Sequence, residues 1–179
     1  KSTLLGLLAG VNDVSEGVIM YNNMALNAMD FNNFRKHIGF ALSNNQIFIG
    51  SLLDNITMGR PYVSTDDVIR SIEMVNLESF IETLPDGFNT ELDPEASRIP
   101  RSAANKIILA RAICSNPKLL ILEDPLDHVP QVEKELIIQR LTRVENPRNI
   151  LITAVDETWT KYIKRILVMD KGKIIHDNK

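Results

Sequence analysis

Three residues at the start of the given sequence, Lys1-Ser2-Thr3, have types and an order that suit phosphate and magnesium binding. They match the tail of the pattern G-x-x-x-x-G-K-[ST], in which the lysine reaches the terminal phosphates and the next hydroxyl binds Mg²⁺. The glycine part of that pattern is not within the 179 residues. Taken alone, such a tripeptide is more often the polar beginning of a helix, so its interpretation depends on residues further along the chain.

Two adjacent acids, Glu123 and Asp124, stand at the end of the continuous apolar run 118–123. A run of this kind is typical of a strand buried on both faces of a parallel sheet. In phosphate-handling α/β proteins, one acid at the carboxyl end of such a strand holds Mg²⁺, and the next can orient an attacking water. The alternative is a pair of acids capping a solvent-facing loop. Together with Lys1-Ser2-Thr3 opening a helix, the pair favours the functional interpretation.

The elements that must position these residues alternate between helices and short apolar strands. This alternation predicts right-handed βαβ units, a mostly parallel sheet and an α/β fold. Ser64, with Asp67 three residues later, forms a carboxylate variant of a capping box at the start of one helix. The predicted helices are 1–9, 51–58, 65–75, 102–114, 131–144 and 156–163. The predicted strands are 17–21, 37–41, 118–123, 149–153, 165–169 and 173–176.

Helix 131–144 carries both apolar and charged residues, which predict its buried and exposed sides. The residues expected to form its apolar stripe are Val132, Leu136, Leu141 and Val144. The residues expected to form its solvated face are Glu133, Lys134 and Glu135.

The composition and net charge limit the classes of protein to which this chain can belong. The chain has 179 residues, a net charge of −3 and 44% apolar residues, which fits one globular domain. This charge does not favour a nucleic-acid binder held mainly by phosphate contacts. Cys114 is the sole cysteine, which excludes an intrachain disulfide framework and fits a reducing compartment. No apolar run approaches the length of a membrane span, and we expect a soluble domain that faces the cytosol.

Longer stretches carry a family resemblance. The run LARAICSNPKLLILEDP at 109–125 closely resembles the segment around the Walker B strand of ATP-binding-cassette (ABC) transporter ATPases. The segments 38–40 and 48–56 resemble the Q-loop region of the exporter type. The stretch before the exporters' signature motif resembles residues 84–90, LPDGFNT. The strands after their switch histidine resemble residues 165–174, RILVMDKGKI. The resemblance spans the chain and identifies it as an ABC exporter nucleotide-binding domain.

The resemblance implies an architecture and partners. Residues 1–179 would be a single nucleotide-binding domain with a P-loop NTPase-like, mostly parallel sheet, lacking the family's N-terminal strands. An inserted helical subdomain with the signature motif would occupy approximately 45–116, and the remainder would be a RecA-like core. The implied cofactors are ATP and Mg²⁺ in the full-length parent, and we expect the 179 residues alone to bind ATP weakly or not at all. The implied partners are a membrane-spanning domain and a second nucleotide-binding domain, in a homodimer or heterodimer, with no nucleic acid. The implied location is the cytoplasmic face of the cell membrane.

The resemblance also assigns roles to residues of the binding half-site. Lys1, Ser2 and Thr3 fall on the positions that bind the nucleotide phosphates. Ser2 and Glu123 fall on the positions that hold Mg²⁺. Asp124 falls on the position of the catalytic glutamate, so the family's aspartate–glutamate pair is reversed in this chain.

Several motif positions depart from the family pattern. Ser43 stands at the Q-loop glutamine, and Ala154 stands at the switch histidine. Residues 127–130, DHVP, replace the usual D-loop. The LSGGQ-like signature motif falls on Ile99, Pro100, Arg101, Ser102 and Ala103. An arginine and a proline there change both the backbone freedom and the shape of that surface.

These departures leave three hypotheses. The favoured one is the ATP-binding domain of an ABC exporter, which couples nucleotide binding to transport with weak or no hydrolysis at its own site. In the second, Asp124 still activates water and the domain is an active ATPase subunit. In the third, nucleotide is no longer bound and the fold serves as a scaffold. We therefore expect a domain that keeps the family's fold but carries substitutions in the motifs that perform its chemistry.

Overall fold

The computed structural model describes residues 1–94, 99–143, 148–155 and 157–178. The α-helices are α1 (Ser2–Leu8), α2 (Phe31–His37), α3 (Leu52–Thr57), α4 (Thr65–Val75), α5 (Glu78–Ile81), α6 (Arg101–Ile113) and α7 (Gln131–Leu141). The strands are β1 (Met20–Tyr21), β2 (Met24–Ala25), β3 (Ile38–Ala41), β4 (Gly50–Ser51), β5 (Glu91–Leu92), β6 (Leu119–Glu123), β7 (Asn149–Thr153), β8 (Ile166–Asp170) and β9 (Lys173–Asn178). Within these residues no helix is both long and apolar enough to cross a membrane.

The central sheet consists of β3, β6 and β7 in that spatial order, all parallel. β6 lies in the middle, with Leu120 opposite Gly39 on one side and Ile150 on the other. Leu120, Ile121 and Leu122 are fully buried, which confirms that the apolar run ending in acids is an interior parallel strand. The fold class predicted from the sequence is therefore confirmed.

Successive side chains of β6 enter two different apolar cores, as the alternation of a strand requires. Leu120 and Leu122 pack into the larger core, to which α3, α4, α6 and α7 contribute. Ile121 packs into the smaller core with residues of α1 and α2, such as Leu5 and Phe34. The sheet is thus covered on both faces, and its carboxyl edge remains available for a site.

A glycine in β3 permits the close approach of α6 to the sheet. A Cβ atom at Gly39 would lie 2.0 Å from the carbonyl oxygen of Ala112, and such an approach requires a shift of the backbone. The absence of a side chain at Gly39 therefore sets the spacing between β3 and α6.

Capping boxes begin two of the helices that precede the candidate signature segment. Ser51 and Asp54 form a capping box at α3, and Ser64 and Asp67 form the predicted one at α4. The elements α3 to α6, with the antiparallel pair β4–β5, lie within the predicted helical subdomain 45–116. The boundaries of that subdomain stay a prediction.

A polar contact joins α4, α6 and α7 in the interior. The ammonium of Lys106 donates to the carbonyl oxygen of Asn76 at 2.7 Å and to Glu133 Oε1 at 2.8 Å. The side-chain amide of Asn76 donates to the same Glu133 oxygen at 2.7 Å. The prediction of a solvated face at Glu133 is therefore wrong, because this carboxylate pairs with a buried lysine on a neighbouring helix.

The predicted apolar stripe of helix 131–144 is also wrong in part. Val132 is 85% exposed, and the buried residues of α7 are Ile137, Ile138 and Leu141. Leu136 is also exposed, at 36%, so α7 packs against the core through a different face, formed by Ile137, Ile138 and Leu141. Val144, the last residue of the predicted stripe, lies outside the described residues.

Four other segments differ from the sequence-based prediction. In place of helix 156–163 there is a 3-10 helix, Glu157–Lys161, held by the buried residues Thr158 and Trp159; residue 156 is outside the described part. Strand 17–21 shortens to β1, which pairs with β2 in a hairpin. The short helices α2 and α5 were not predicted.

One side of the sheet presents an open strand edge. Within the described residues, β7 pairs with β6 alone, and β8 and β9 pair only with each other. A groove of about 730 Å³ lies between β7 and β8, lined by residues such as Leu5, Ile150 and Leu167.

Candidate functional site

The three parallel strands bring the candidate residues to one edge of the sheet. β3, β6 and β7 end at Ala41, Glu123 and Thr153. Ser43, Asp124 and Ala154 follow these ends within two residues. Because the carboxyl ends of parallel strands share one edge, residues 80 positions apart in sequence become neighbours, as Ser43 and Glu123 do.

Glu123 connects two separate segments at this edge. Its Oε1 accepts a hydrogen bond from the hydroxyl of Ser2, the first residue of α1. Its Oε2 accepts a hydrogen bond from the backbone N–H of Ser43 at 3.0 Å. One carboxylate thus ties the start of α1 and the loop after β3 to the end of β6.

These hydrogen bonds determine the charge state of the carboxylate. Partial burial raises the pKa of Glu123, but hydrogen bonds from Ser2 and Ser43 outweigh it and hold that pKa below its ordinary value. Glu123 is therefore an anion near neutral pH, and a hydroxyl oxygen lies directly beside it.

The chemistry of this donor set fits a magnesium ion. Mg²⁺ binds hard oxygen ligands and usually keeps several waters, so one hydroxyl and one carboxylate are a sufficient protein contribution beside a phosphate. Lys1 and Thr3 are exposed at the same helix start. Within the described residues no cluster of three or more His, Cys, Asp and Glu side chains forms an all-protein metal site.

Asp124 makes a different kind of contact. Its backbone lies in the left-handed region at φ 41°, and its N–H donates to the carbonyl oxygen of Thr153 at 2.9 Å. Its Oδ1 accepts a hydrogen bond from the backbone N–H of Val155 at 2.9 Å. One oxygen of the carboxylate therefore holds the loop after β7, which contains the half-buried Ala154 and the 91% exposed Val155.

The predicted signature residues form a second group at the start of α6. Pro100 precedes the helix without a side-chain cap, Ile99 is half-buried and Ala103 is buried. Arg101 reaches the ring of His128 at 3.5 Å.

Residues 127 and 128, in the predicted D-loop segment, contact the start of α6. The amide of Asn105, one turn into α6, donates to the carbonyl oxygen of Asp127 at 2.5 Å. The ring of His128 lies 3.0 Å from the Asp127 carboxylate. The contacts of α6 with residues 127 and 128 thus connect the signature position to the loop after Asp124.

Comparison with known proteins assigns these features to a family. The sequence profile described as ABC transporter matches residues 1–127, more than half of the chain. The chain belongs to the ABC transporter family. In this family member, the Ser2–Glu123 pair lies between the start of α1 and the end of β6, and the predicted signature residues lie at the start of α6.

Sequence similarity to known relatives covers nearly the whole length of this ABC domain. It is 28% identical over 179 residues to the alpha-hemolysin translocation ATP-binding protein HlyB of Escherichia coli, covering 100% of the chain and 25% of that protein. It is 32% identical over 178 residues to the mesentericin-Y105 transport/processing ATP-binding protein MesD of Leuconostoc mesenteroides, covering 99% of the chain and 24% of that protein. The domain thus spans about a quarter of the length of these relatives.

A solved structure shows the same fold. The structure of a bacterial Atm1-family ABC exporter with ATP bound superposes with a TM-score of 0.90 and 22% identity. The superposition covers 99% of this ABC domain and 31% of that chain. The ABC ATPase fold is therefore present in residues 1–179.

Sequence reasoning did not assign a role to the pair Asn55 and Arg111. Both are buried, and both lie inside the stretches that carried the family resemblance. A usable signal was present only for Arg111, which lies between Ala110 and Ala112 in a predicted helix, an indication of a satisfied polar residue in the core; Asn55 follows Asp54 and carries no such signal.

Proposed function

We propose that this chain is the nucleotide-binding domain of an ABC exporter, and that it binds ATP with Mg²⁺ but hydrolyses it slowly at its own site. In this proposal the domain couples nucleotide binding to transport across a membrane. Robust hydrolysis by the assembled transporter comes from a partner's site. The family membership, the fold and the geometry of Glu123 support the proposal.

The binding half of the proposal rests on the contact between α1 and β6. Ser2 and Glu123 supply hard oxygen ligands, and Lys1 supplies a cation at the helix start next to them. When bound, Mg²⁺ neutralises charge on the phosphates and fixes their orientation. The relatives HlyB and MesD are named as ATP-binding proteins, which agrees with this assignment.

A single observation carries the slow-hydrolysis half: the carboxylate of Asp124 is hydrogen-bonded to the backbone N–H of Val155. A base that activates water must reach that water, and Asp124 is one methylene shorter than the family's glutamate. A displacement of about 1 Å can cost about a hundredfold in rate. Asp124 therefore has a shorter side chain than the family's glutamate, and one of its carboxylate oxygens already accepts a hydrogen bond from the backbone.

The neighbouring positions remove further groups from the reaction. Ala154 has no donor or acceptor to contact a γ-phosphate or an attacking water. Ser43 is too short to replace a glutamine that reaches Mg²⁺ and the water, and its backbone N–H is bonded to Glu123. These losses act on one transition state, so they point in one direction but need not add.

Exposed apolar side chains support the proposed membrane-spanning partner. Phe48 is 38% exposed and Ile49 is 66% exposed, in the loop that follows Ser43. Leu53, in the first turn of α3, is also exposed. Neighbouring exposed apolar residues of this kind mark an interaction surface. In this proposal the domain lies at the cytoplasmic face of the membrane beside a second nucleotide-binding domain.

The test is the ATPase rate of the full-length protein before and after Asp124→Asn. We expect little change, because the rate comes from a partner's site. If the protein is fast and this one change abolishes its activity, Asp124 is a working base and the slow-hydrolysis proposal is wrong.

Calorimetric titration of the full-length protein with Mg-ATP separates nucleotide binding from the scaffold hypothesis. We expect binding that Lys1→Ala weakens when the partner sites are inactivated. Absence of any binding under those conditions would support the scaffold hypothesis instead.

A further inference from the structure

The last residue of α1, Leu8, has a carbonyl oxygen that the helix itself leaves unpaired. The three carbonyl oxygens before it each accept a backbone N–H: Leu5 from Ala9 at 2.8 Å, Gly6 from Val11 at 2.9 Å and Leu7 from Gly10 at 3.1 Å. Among the described residues, no backbone N–H donates to the carbonyl oxygen of Leu8. The hydroxyl of Tyr21 donates to it instead, at 2.6 Å. A side chain from outside the helix therefore completes the hydrogen bonding at the end of α1.

A tight hairpin places Tyr21 at this point. Tyr21 ends β1, and Asn22 and Asn23 connect it to β2 with φ angles of 48° and 66°. Positive φ at both central residues is the requirement of a type I′ turn, and asparagine is one of the residues that meet it. The centre of the Tyr21 ring lies 5.2 Å from that of Phe34, a buried residue of the smaller core. The turn and the ring contact together fix where the hydroxyl lies.

The hydroxyl of Tyr21 contributes something that the ring does not. Packing against Phe34 needs only the ring, which a phenylalanine would supply equally. A half-buried hydroxyl gives up contacts with water, and its described partner in the fold is the carbonyl oxygen of Leu8. Burial raises the pKa of Tyr21, so the hydroxyl keeps its proton and remains a donor near neutral pH. The hydroxyl is therefore matched to the end of α1.

The opposite end of α1 carries the contact on which the candidate site depends. Ser2 donates to Glu123 Oε1 there, and Leu5, in the middle of the helix, is buried in the smaller core. The helix has seven residues, which is about 10 Å at 1.5 Å per residue. So short a helix moves as one body, and a shift at Leu8 changes the position of Ser2 relative to Glu123.

We propose that Tyr21 is a positioning residue for the magnesium site: its hydroxyl holds Leu8 at the end of α1 and so keeps Ser2 beside Glu123. The role of Ser2 and Glu123 toward Mg²⁺ rests on the proposed function. Without the hydroxyl, the carbonyl oxygen of Leu8 turns toward water, and the last turn of α1 frays or shifts. The fraction of molecules with Ser2 in place then falls, and the affinity for Mg-ATP falls by the same factor.

The first experiment measures hydrogen exchange in the full-length protein without nucleotide. Tyr21→Phe keeps the ring and its packing, so we expect folded protein in which amide exchange of residues 9–12 rises by about fivefold or more. These amides donate to the last carbonyl oxygens of α1. Tyr162→Phe is the matched control, because it removes a tyrosine hydroxyl that accepts from Gln139 on α7 at 3.1 Å. It should leave residues 9–12 within about twofold of the parent.

Two outcomes of the exchange experiment would overturn the proposal. Parental exchange of residues 9–12 in Tyr21→Phe would show that the hydroxyl does not hold the end of α1. An equal rise in Tyr162→Phe would show that the loss of either hydroxyl loosens the whole domain, which leaves no particular role for Tyr21.

The second experiment is a double-mutant cycle on the affinity for Mg-ATP, measured by calorimetry in the full-length protein with the partner sites inactivated. Tyr21→Phe should weaken binding by about threefold or more in the parent, and by less than about 1.5-fold when Ser2→Ala is already present. The reason is that Tyr21 acts through Ser2, whereas a merely structural residue would weaken binding by the same factor in both backgrounds. That equal factor, or an unchanged affinity in Tyr21→Phe, would overturn the positioning role.

The two experiments separate this inference from the proposed function. If the parent binds no Mg-ATP, the proposed function is wrong and the role of Tyr21 toward a magnesium site is overturned with it, while the exchange result still decides whether Tyr21 holds α1. If the parent binds Mg-ATP and Tyr21→Phe changes neither measurement, only the inference about Tyr21 is wrong.

Discussion

The polar side chains around α6 and those at the carboxyl edge of the sheet have opposite characters. Around α6, Asn55, Arg111 and Lys106 are buried, and each makes more than one hydrogen bond to another element. At the sheet edge, Ser43 is exposed and Ala154 has no polar side chain. The first region holds helices and loops in fixed relation, and the second holds few groups able to contact a substrate.

This difference shows that the fold and the chemistry of the domain depend on separate residues. A buried polar residue cannot change without leaving its partners unsatisfied, which makes such positions resistant to substitution. An exposed residue at the end of a strand can change with little effect on stability. A chain can therefore retain an ABC ATPase framework while the groups expected to act on a γ-phosphate are replaced.

Two asparagines, Asn55 near α6 and Asn45 near the sheet edge, give the largest expected difference in stability between the two regions. Asn55→Ala should lower the free energy of unfolding by about 3 kcal/mol, because Arg111 and the backbone of Phe48 lose buried partners. Asn45, near the sheet edge, accepts one hydrogen bond from the backbone N–H of Leu42. Asn45→Ala should cost about 1 kcal/mol. Denaturant unfolding of the full-length protein measures both, and equal losses would contradict the distinction between the regions.

The second prediction restores groups at the sheet edge. A triple variant, Ser43→Gln with Asp124→Glu and Ala154→His, should raise the ATPase rate at this site by about tenfold or more. The measurement is steady-state hydrolysis by the full-length protein. Lys1→Ala added to the triple variant should remove the gain. If the triple variant is no faster than its parent, restoring these three side chains is not sufficient for ATP hydrolysis at the sheet edge.

The third prediction concerns Asp124 as a structural residue of the edge. Asparagine keeps an oxygen that can accept from Val155 and tolerates a positive φ, so Asp124→Asn should leave stability nearly unchanged. Asp124→Gly tolerates the backbone but removes the acceptor, and it should cost about 1 kcal/mol. Thermal unfolding of the two variants gives the comparison. Equal destabilisation by both would show that the negative charge, not the acceptor, matters.

The smallest effect concerns Glu133 in the interior. Burial raises its pKa, but hydrogen bonds from Asn76 and Lys106 and the charge of Lys106 outweigh it, so the pKa lies below the ordinary value. The stability that Glu133 contributes is therefore complete above its unfolded pKa of about 4.3 and is lost as pH falls through the folded value. Lys106→Met should move the pKa of Glu133 upward. NMR titration of its side-chain carbon should show this rise. An unchanged pKa of Glu133 would contradict the inferred stabilising contact between Glu133 and Lys106.

Local patterns allowed much of the fold to be predicted. The run 118–123 could only be an interior strand, and Ser64 with Asp67 identified the start of α4, because both signals lie within a few residues. Two acids after a buried strand likewise placed Glu123 at the edge of the sheet. These features depend on neighbours in sequence, so the sequence alone reveals them.

Tertiary contacts decided the features that local patterns could not predict. Glu133 looked like a solvated residue because its partner Lys106 lies 27 positions away on another helix. Arg111 and Asn55 are 56 positions apart, so their contact has no local signal. The contact between Asp124 and Val155 depends on the pairing of β6 with β7. The candidate site residues could be named from the family resemblance, but not what each carboxylate contacts.

Cys114 directly after α6 gives the domain a built-in chemical reporter. The thiol is 1% exposed, burial raises its pKa, and Arg60 donates to its sulfur at 3.4 Å. A thiol in this state reacts with a disulfide reagent only when the surrounding structure opens. The rate of labelling therefore reports the opening equilibrium at the end of α6, close to Arg111. Because Cys114 is the sole cysteine of the 179 residues, the domain itself gives a single labelling signal.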